Sequence, residues 1–280
     1  MENKISTCLI CYEISDIKLS CNHNYCISCL KNFYNSNKYM YSCYYCNQYL
    51  SINDLKLLNI ELNEKIIKNI FSSGKLEQIK YLIEQKEFIW KNEYFDEAAA
   101  KGNLEVVKFL HSIGKDCTTN AMDDASKNGH IEVVQFLHSI GKKCTTDAMD
   151  RASSRGHLEI VKFLHSIGKE CTKWAMNYAS EYGHLEIVKY LHSIGKNCTT
   201  KAMDWASEFG HFEIVQFLHS IGASCTTNAM DWASENGHLE VVKFLHSIGI
   251  PCTKLAMERA SENGFYDVVE FLKKIKNYSI

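Results

Sequence analysis

Seven of the thirteen cysteines lie between residues 8 and 46, and with His23 they form four pairs: Cys8/Cys11, Cys21/His23, Cys26/Cys29 and Cys43/Cys46. Three of the pairs have two intervening residues, the spacing that lets two thiolates reach one metal. Eight soft donors complete two tetrahedral zinc sites and leave no position open for water. The expected metals are therefore two structural zinc ions, not a zinc that activates a nucleophile. On spacing alone, CNHNYCISC (residues 21–29) is either one complete site or half of two interleaved ones. In the first case, Cys8/Cys11 and Cys43/Cys46 join around the other metal. A segment of roughly forty residues cannot bury enough apolar surface to fold unaided. Structural zinc contributes on the order of 10 kcal/mol per site, so metal binding and folding should be one event.

The other six cysteines, at 117, 144, 171, 198, 225 and 252, recur every 27 residues. Two spacing laws imply two modules. The recurring unit reads TTNAMDDASKNGHIEVVQFLHSIGKKC, and its next copy TTDAMDRASSRGHLEIVKFLHSIGKEC. Each copy predicts two helices. Thr118, Thr145, Thr172, Thr199, Thr226 and Thr253 suit an N-cap. A short helix on AMDxAS places Ala and Met on one side, and Gly129 and its counterparts break the chain. A second amphipathic helix on HLEVVKFLHSIG then stops at a glycine such as Gly141, where positive φ is wanted. Glycine punctuation from Gly74 to Gly264 gives eight helix pairs, the first degenerate. The lysines of FLKKIKNYSI suit a polar cap on the stack. A metal row built from His138, Cys144 and their equivalents is not expected, because each copy supplies too few donors. A buried, inert thiol and an imidazole at the negative end of a helix explain them better.

The copies differ along one face of the first helix, at positions i, i+4 and i+8. Successive copies read Asn120/Asp124/Asn128, Asp147/Arg151/Arg155, Trp174/Tyr178/Tyr182, Lys201/Trp205/Phe209, Asn228/Trp232/Asn236 and Leu255/Arg259/Asn263. A core position would not accept Asp, Arg and Trp in turn, so this face should be at least partly exposed. The central copies place Trp174, Tyr178, Tyr182, Trp205, Phe209 and Trp232 there, beside Arg151 and Arg155, a composition suited to binding a substrate protein. Tyr182 and Phe209 are expected to bind a partner. For Tyr178, Trp205 and Trp232, binding and packing between repeats both stand.

Lys and Arg number 31 against 33 Asp and Glu, for a net charge of −2 and a pI of about 6.6, which argues against nucleic acid as a partner. No apolar run approaches the ~18 residues of a membrane span. The start, MENKISTCLI, lacks a secretory signal. A reducing, cytoplasmic setting is expected, in which the cysteines are not a disulfide framework. Residues 51–64, SINDLKLLNIELNE, read as a helical connector. The twelve histidines are His23, six in LHSIG and five after glycine. No His or Cys is left over for a catalytic site.

Residues 8–46 resemble a RING finger with seven cysteines and one histidine, matching all eight donors in order. The resemblance implies a cross-brace, with Cys8, Cys11, Cys26 and Cys29 on one zinc and Cys21, His23, Cys43 and Cys46 on the other. It also implies a groove for a ubiquitin-conjugating enzyme, at which Ile10 and Phe33 match two positions. Members often carry Trp where Phe33 stands, Pro where Tyr44 follows Cys43, and Arg or Lys at Asn47. Residues 65–276 resemble ankyrin repeats. The period is 27 against a standard 33, and the usual Thr-Pro-Leu-His opening is replaced, here by Asn120-Ala121-Met122-Asp123. The β-finger is therefore expected to shrink to a turn such as GKKCTT. The combination is similar to RING-plus-ankyrin proteins, including those of large DNA viruses of amoebae, which would place the chain in host cytoplasm. The expected fold is mostly α: a RING domain over 1–50, the connector over 51–64, and an ankyrin-like helical solenoid over 65–280. Its implied activity is ubiquitin transfer, with a conjugating enzyme, ubiquitin and a substrate protein as partners.

Overall fold

The computed structural model describes residues 17–18, 23–25, 63–84 and 88–277. The chain forms two compact units, Met1–Trp90 and Lys91–Ile280. In the first unit, β1 (Ile17–Lys18) pairs antiparallel with β2 (Asn24–Tyr25), Ile17 opposite Tyr25 and Lys18 opposite Asn24. Helices α1 (Glu64–Ser72) and α2 (Leu76–Ile83) follow, joined through Gly74 at φ 72°. Ile66, Phe71, Ile79 and Leu82 are buried, with the rings of Phe88 and Trp90 against Phe71 at 6.3 and 5.8 Å. Asn63 is extended, and its side-chain oxygen accepts from the Ile66 N–H at 3.0 Å, so α1 starts with a cap. Asn63 and Glu64, the last two residues of the expected connector, are thus the cap and the first residue of α1. Residues 51–62 lie outside the described residues.

The second unit is seven helix pairs. The inner helices are α3 (Asn92–Ala100), α5 (Asn120–Lys127), α7 (Asp147–Ser154), α9 (Lys173–Glu181), α11 (Thr200–Glu208), α13 (Thr227–Glu235) and α15 (Lys254–Glu262). The outer helices are α4 (Leu104–Ser112), α6 (Ile131–Ser139), α8 (Leu158–Ser166), α10 (Leu185–Ser193), α12 (Phe212–Ser220), α14 (Leu239–Ser247) and α16 (Tyr266–Asn277). Inner helices pack on one another far more closely than outer helices do. The sequence explains why: each inner helix buries two alanines, as Ala121 and Ala125 do, which lets neighbouring backbones approach, while Met122 fills the gap. Each outer helix buries a triplet such as Val133, Val134 and Leu137 at helical spacing. A fully buried side chain of this kind contributes roughly 1.5–3 kcal/mol. The copies meet through turns, and the described residues of the second unit hold no strand, as the shortened finger requires.

The threonines cap as expected. The Thr172, Thr199, Thr226 and Thr253 hydroxyls accept from the N–H two residues on. In α5 and α7 the helix begins one residue later, yet Thr118 and Thr145 still accept from Asn120 and Asp147 at 3.1 Å. The same threonines are held from behind by a residue that sequence reading passed over. One oxygen of the Asp150 carboxylate accepts from the Thr172 N–H at 2.9 Å, and the other from its hydroxyl at 2.6 Å. Asp96 and Thr118, Asp123 and Thr145, Asp204 and Thr226, and Asp231 and Thr253 repeat this latch. Asn177 replaces it once, accepting from the Thr199 N–H at 3.0 Å and donating to its hydroxyl at 2.9 Å. These latches fix each inner helix to the start of the next. Burial raises the carboxyls of Asp96, Asp123, Asp150 and Asp204 above the usual range, against the lowering effect of the threonine bonds.

Two glycines per copy have positive φ for different reasons. At Gly141, φ is 75° and a side chain would meet nothing, so only the backbone conformation demands glycine. At Gly129, φ is 85° and an added Cβ would also lie 2.7 Å from the ring of His157 in the next copy. That ring occupies the space a side chain would take. Its Nε2 lies 3.1 Å from the Lys127 carbonyl, one of the acceptors that a helix end leaves unpaired. His184 and His211 do the same for Ser154 and Glu181. Burial lowers the imidazoles of His157, His184 and His238 below the usual value.

Candidate protein-interaction surface

None of the variable inner-helix positions is buried, as the differences between copies require. In α5, α7, α9, α11 and α13, alanine, methionine and the latch residue are buried on the opposite side, which leaves i, i+4 and i+8 facing out. Tyr182 is 55% exposed and Phe209 49%, and both end an inner helix in the middle of the array. Trp174, Tyr178, Trp205 and Trp232 are half-buried. Trp174 stacks on Tyr178 at 5.4 Å and on Trp205 at 6.1 Å, and Tyr178 lies parallel to Trp205 at 6.0 Å. Tyr178 and Trp205 thus pack between copies while remaining partly exposed. The Lys201 ammonium lies 4.8 Å from the Trp174 ring and 5.1 Å from the Trp205 ring, a cation–π arrangement. Arg151 is tied to Asp124 at 3.2 Å and to Asp147 at 2.7 Å, whereas Arg155 is exposed.

In two other copies the position of Tyr182 and Phe209 serves the stack. The Asn128 amide donates to the Ala100 carbonyl at 2.8 Å, and the Asn263 amide to the Glu235 carbonyl at 2.9 Å. Asn236 instead donates to Trp232 of its own helix at 3.0 Å. Tyr182 and Phe209 project outward, and Phe209 lies against the His211 ring at 6.5 Å.

The remaining titratable rows are quiet. His138 lies in the last turn of α6, as expected, with its ring edge-on to Phe163 at 5.9 Å. The other LHSIG histidines repeat this pairing, and His165 also meets the Tyr190 hydroxyl at 2.9 Å. The six repeat cysteines are free thiols. Burial pushes Cys117, Cys171 and Cys225 up to about 11, with Asp96, Asp150 and Asp204 respectively adding to it, so they stay protonated at neutral pH. Among the described residues, no three His, Cys, Asp or Glu side chains converge as metal ligands. No helix among them is long and apolar enough to cross a membrane. Of the proposed zinc donors only His23, half-buried beside β2, is described. Cys8, Cys11, Cys21, Cys26, Cys29, Cys43 and Cys46 lie outside the described residues, as do Ile10, Phe33, Tyr44 and Asn47.

A family model for ankyrin repeats matches the chain in overlapping stretches, residues 95–174, 122–202, 149–229 and 203–280. Together they span more than half of the chain, which belongs to the ankyrin-repeat family. Among solved structures, it is similar in fold to the human ASB11 ankyrin repeat domain, with a TM-score of 0.54 and 18% identity over 63% of this chain and 96% of that one. No curated protein matches the chain. Ankyrin repeats point to protein–protein interaction as the role of the array.

Proposed function

We propose that the chain is a RING-type ubiquitin-protein ligase whose repeats select the substrate protein. The substrate half rests on one observation: Tyr182 and Phe209 stand exposed where other copies hold Asn or Arg. Exposed aromatic residues of this kind are typical anchors of a protein interface. The ligase half rests on the eight paired donors, whose chemistry suits two zinc ions. The ladder between residues 17–18 and 24–25 supports it, because His23 directly precedes its second strand. Cys8, Cys11, Cys26 and Cys29 would hold one ion, and Cys21, His23, Cys43 and Cys46 the other. The zinc supplies folding free energy and no step of the reaction. Ile10, Phe33 and Tyr44 would contact the conjugating enzyme, and Asn47 would donate a hydrogen bond towards ubiquitin. Catalysis would be by positioning: the carrier–ubiquitin thioester is held ready for attack by a substrate lysine.

Asn47 also favours a second reading, a non-catalytic adaptor, because it lacks the positive charge that active relatives often place there. Discharge of ubiquitin from charged conjugating enzymes, tested over a panel of carriers with Ile10→Ala as control, separates the two. The ligase requires discharge that the substitution removes. No discharge with any carrier, from protein shown by metal analysis to hold two zinc ions, would leave the adaptor.

A further inference from the structure

Apart from α15, which ends in the exposed Glu262, three inner helices end in glutamate, α9, α11 and α13 in Glu181, Glu208 and Glu235, whereas α3, α5 and α7 end in Ala100, Lys127 and Ser154. A carboxylate at a helix C-terminus meets the negative end of the macrodipole, so these glutamates do nothing for their own helices. All three are half-buried, and their charges stand near one another across the stack. The cations nearby are mostly engaged. Arg259 pairs with Glu235, Lys201 lies over two indoles, and Arg151 bridges Asp124 and Asp147. Among the described residues, no cation pairs with Glu208. Burial, with Glu181 and Glu235 on either side, raises its carboxyl above the usual range, the mark of a charge without compensation. The charge of Glu181 raises the Tyr182 phenol above its usual value, so acid and exposed aromatic belong to one surface.

We propose that this face receives an extended basic segment of the partner protein, with a Lys or Arg side chain set against Glu181 and Glu208 beside Tyr182 and Phe209. This rests on the reading of the inner-helix face as a partner site, and adds the partner's chemistry. Three features converge on a cation. The acid row lacks a counter-charge at Glu208, and flanking aromatic faces attract cations through their quadrupole. The chain's own Lys201 already adopts that arrangement on Trp174 and Trp205. An acidic segment would meet the glutamates, while Arg151 is already bridged to Asp124 and Asp147 and Lys201 lies over two indoles. The guanidinium fork of an arginine suits the site best, because it can bond a carboxylate while stacking on a ring.

The test is selection of peptides from a random-peptide display library on the full chain, followed by binding measurements with the enriched peptides. The expected sequences carry Lys or Arg beside an apolar residue, and their binding weakens as ionic strength rises. Replacing both Tyr182 and Phe209 with Ala should weaken them by about thirtyfold or more. Glu208→Gln should weaken them by about threefold to tenfold. Because Glu208→Gln relieves repulsion, its denaturation midpoint should not fall, which separates a binding role from a structural one. Peptides that are acidic or uncharged, yet depend on Tyr182 and Phe209, would overturn the basic partner and leave the face intact. Peptides indifferent to both aromatics would overturn the face as well. No enrichment, or enrichment unaffected by Glu208→Gln and by salt, would also overturn the proposal.

Discussion

The first full copy and the two central copies end their inner helices differently. In the first, Asn128 turns back and bonds the Ala100 carbonyl; in the central pair, Tyr182 and Phe209 project outward. Their buried residues are the same: two alanines, a methionine, a serine, and Asp or Asn at the latch. The carbonyl that ends α9, which an asparagine could have bonded, is met by His211 from the next copy. Where Phe265 stands in place of that histidine, Asn263 bonds the Glu235 carbonyl. Two side chains can therefore satisfy one acceptor. With the histidine present, the position at the helix end is free to carry something else. Stacking is borne by one side of the short helix, and the other side is left free to vary.

That division can be broken most severely at the latch. Asp150→Ala leaves the Thr172 N–H and hydroxyl without their buried acceptor, and should cost about 3 kcal/mol in chemical denaturation. Tyr182→Ala should stay within about 0.5 kcal/mol in the same assay. Equal losses would mean that the exposed ring also holds the stack together. The two glycine types sharpen the comparison further. Gly141→Ala meets only the backbone penalty, about 1 kcal/mol. Gly129→Ala should cost about twice that, because the new Cβ must also displace the His157 ring. Equal melting temperatures for the two variants would show that the ring moves aside freely.

The smallest effect should be that of pH. The imidazoles of His157, His184 and His238 have folded-state values below their ordinary value of about 6.5. The folded chain then binds fewer protons than the unfolded one. Stability from these groups is complete above the unfolded value and is lost as pH falls through 6.5 towards the folded values. The denaturation midpoint should decline across that window. Replacing His157, His184 and His238 with Gln should flatten the decline. Nearer pH 4 the latch aspartates act the other way, since raised carboxyls favour the folded chain when protonated.

Much of this was legible in the sequence because it is local. The period, the paired helices, the glycine stops and the threonine caps each depend on residues within a turn or two of one another. The variable face was legible because the copies could be compared within one chain, and disagreement marked exposure. The latch was not read: an Asp in the middle of a short helix looks solvated, and its partner lies 22 residues on. The signal was nevertheless present, as Asp123 and Thr145, Asp150 and Thr172, and Asp204 and Thr226 keep a fixed separation while their neighbours vary. The histidines after glycine were counted in the sequence but given no task, because theirs is a fit into the next copy's glycine. Asn63, near the end of the expected connector, was a cap signal given no task; its side chain starts α1. For the proposed zinc module, donor types and order carry the reading, and seven of its eight donors lie outside the described residues.

Each joint in the array is made by one copy with its immediate neighbour alone: aspartate to threonine 22 residues on, glycine to histidine 28 residues on. Removing a whole 27-residue unit, or inserting another, would bring together the same four residue types at the new junction. Such a chain can be lengthened or shortened in whole units without inventing a new joint. What changes is the surface it presents, which loses or gains one row of three side chains at a time. A protein built in this way can revise what it recognises by recombination between its own copies, with the fold as the part that stays still.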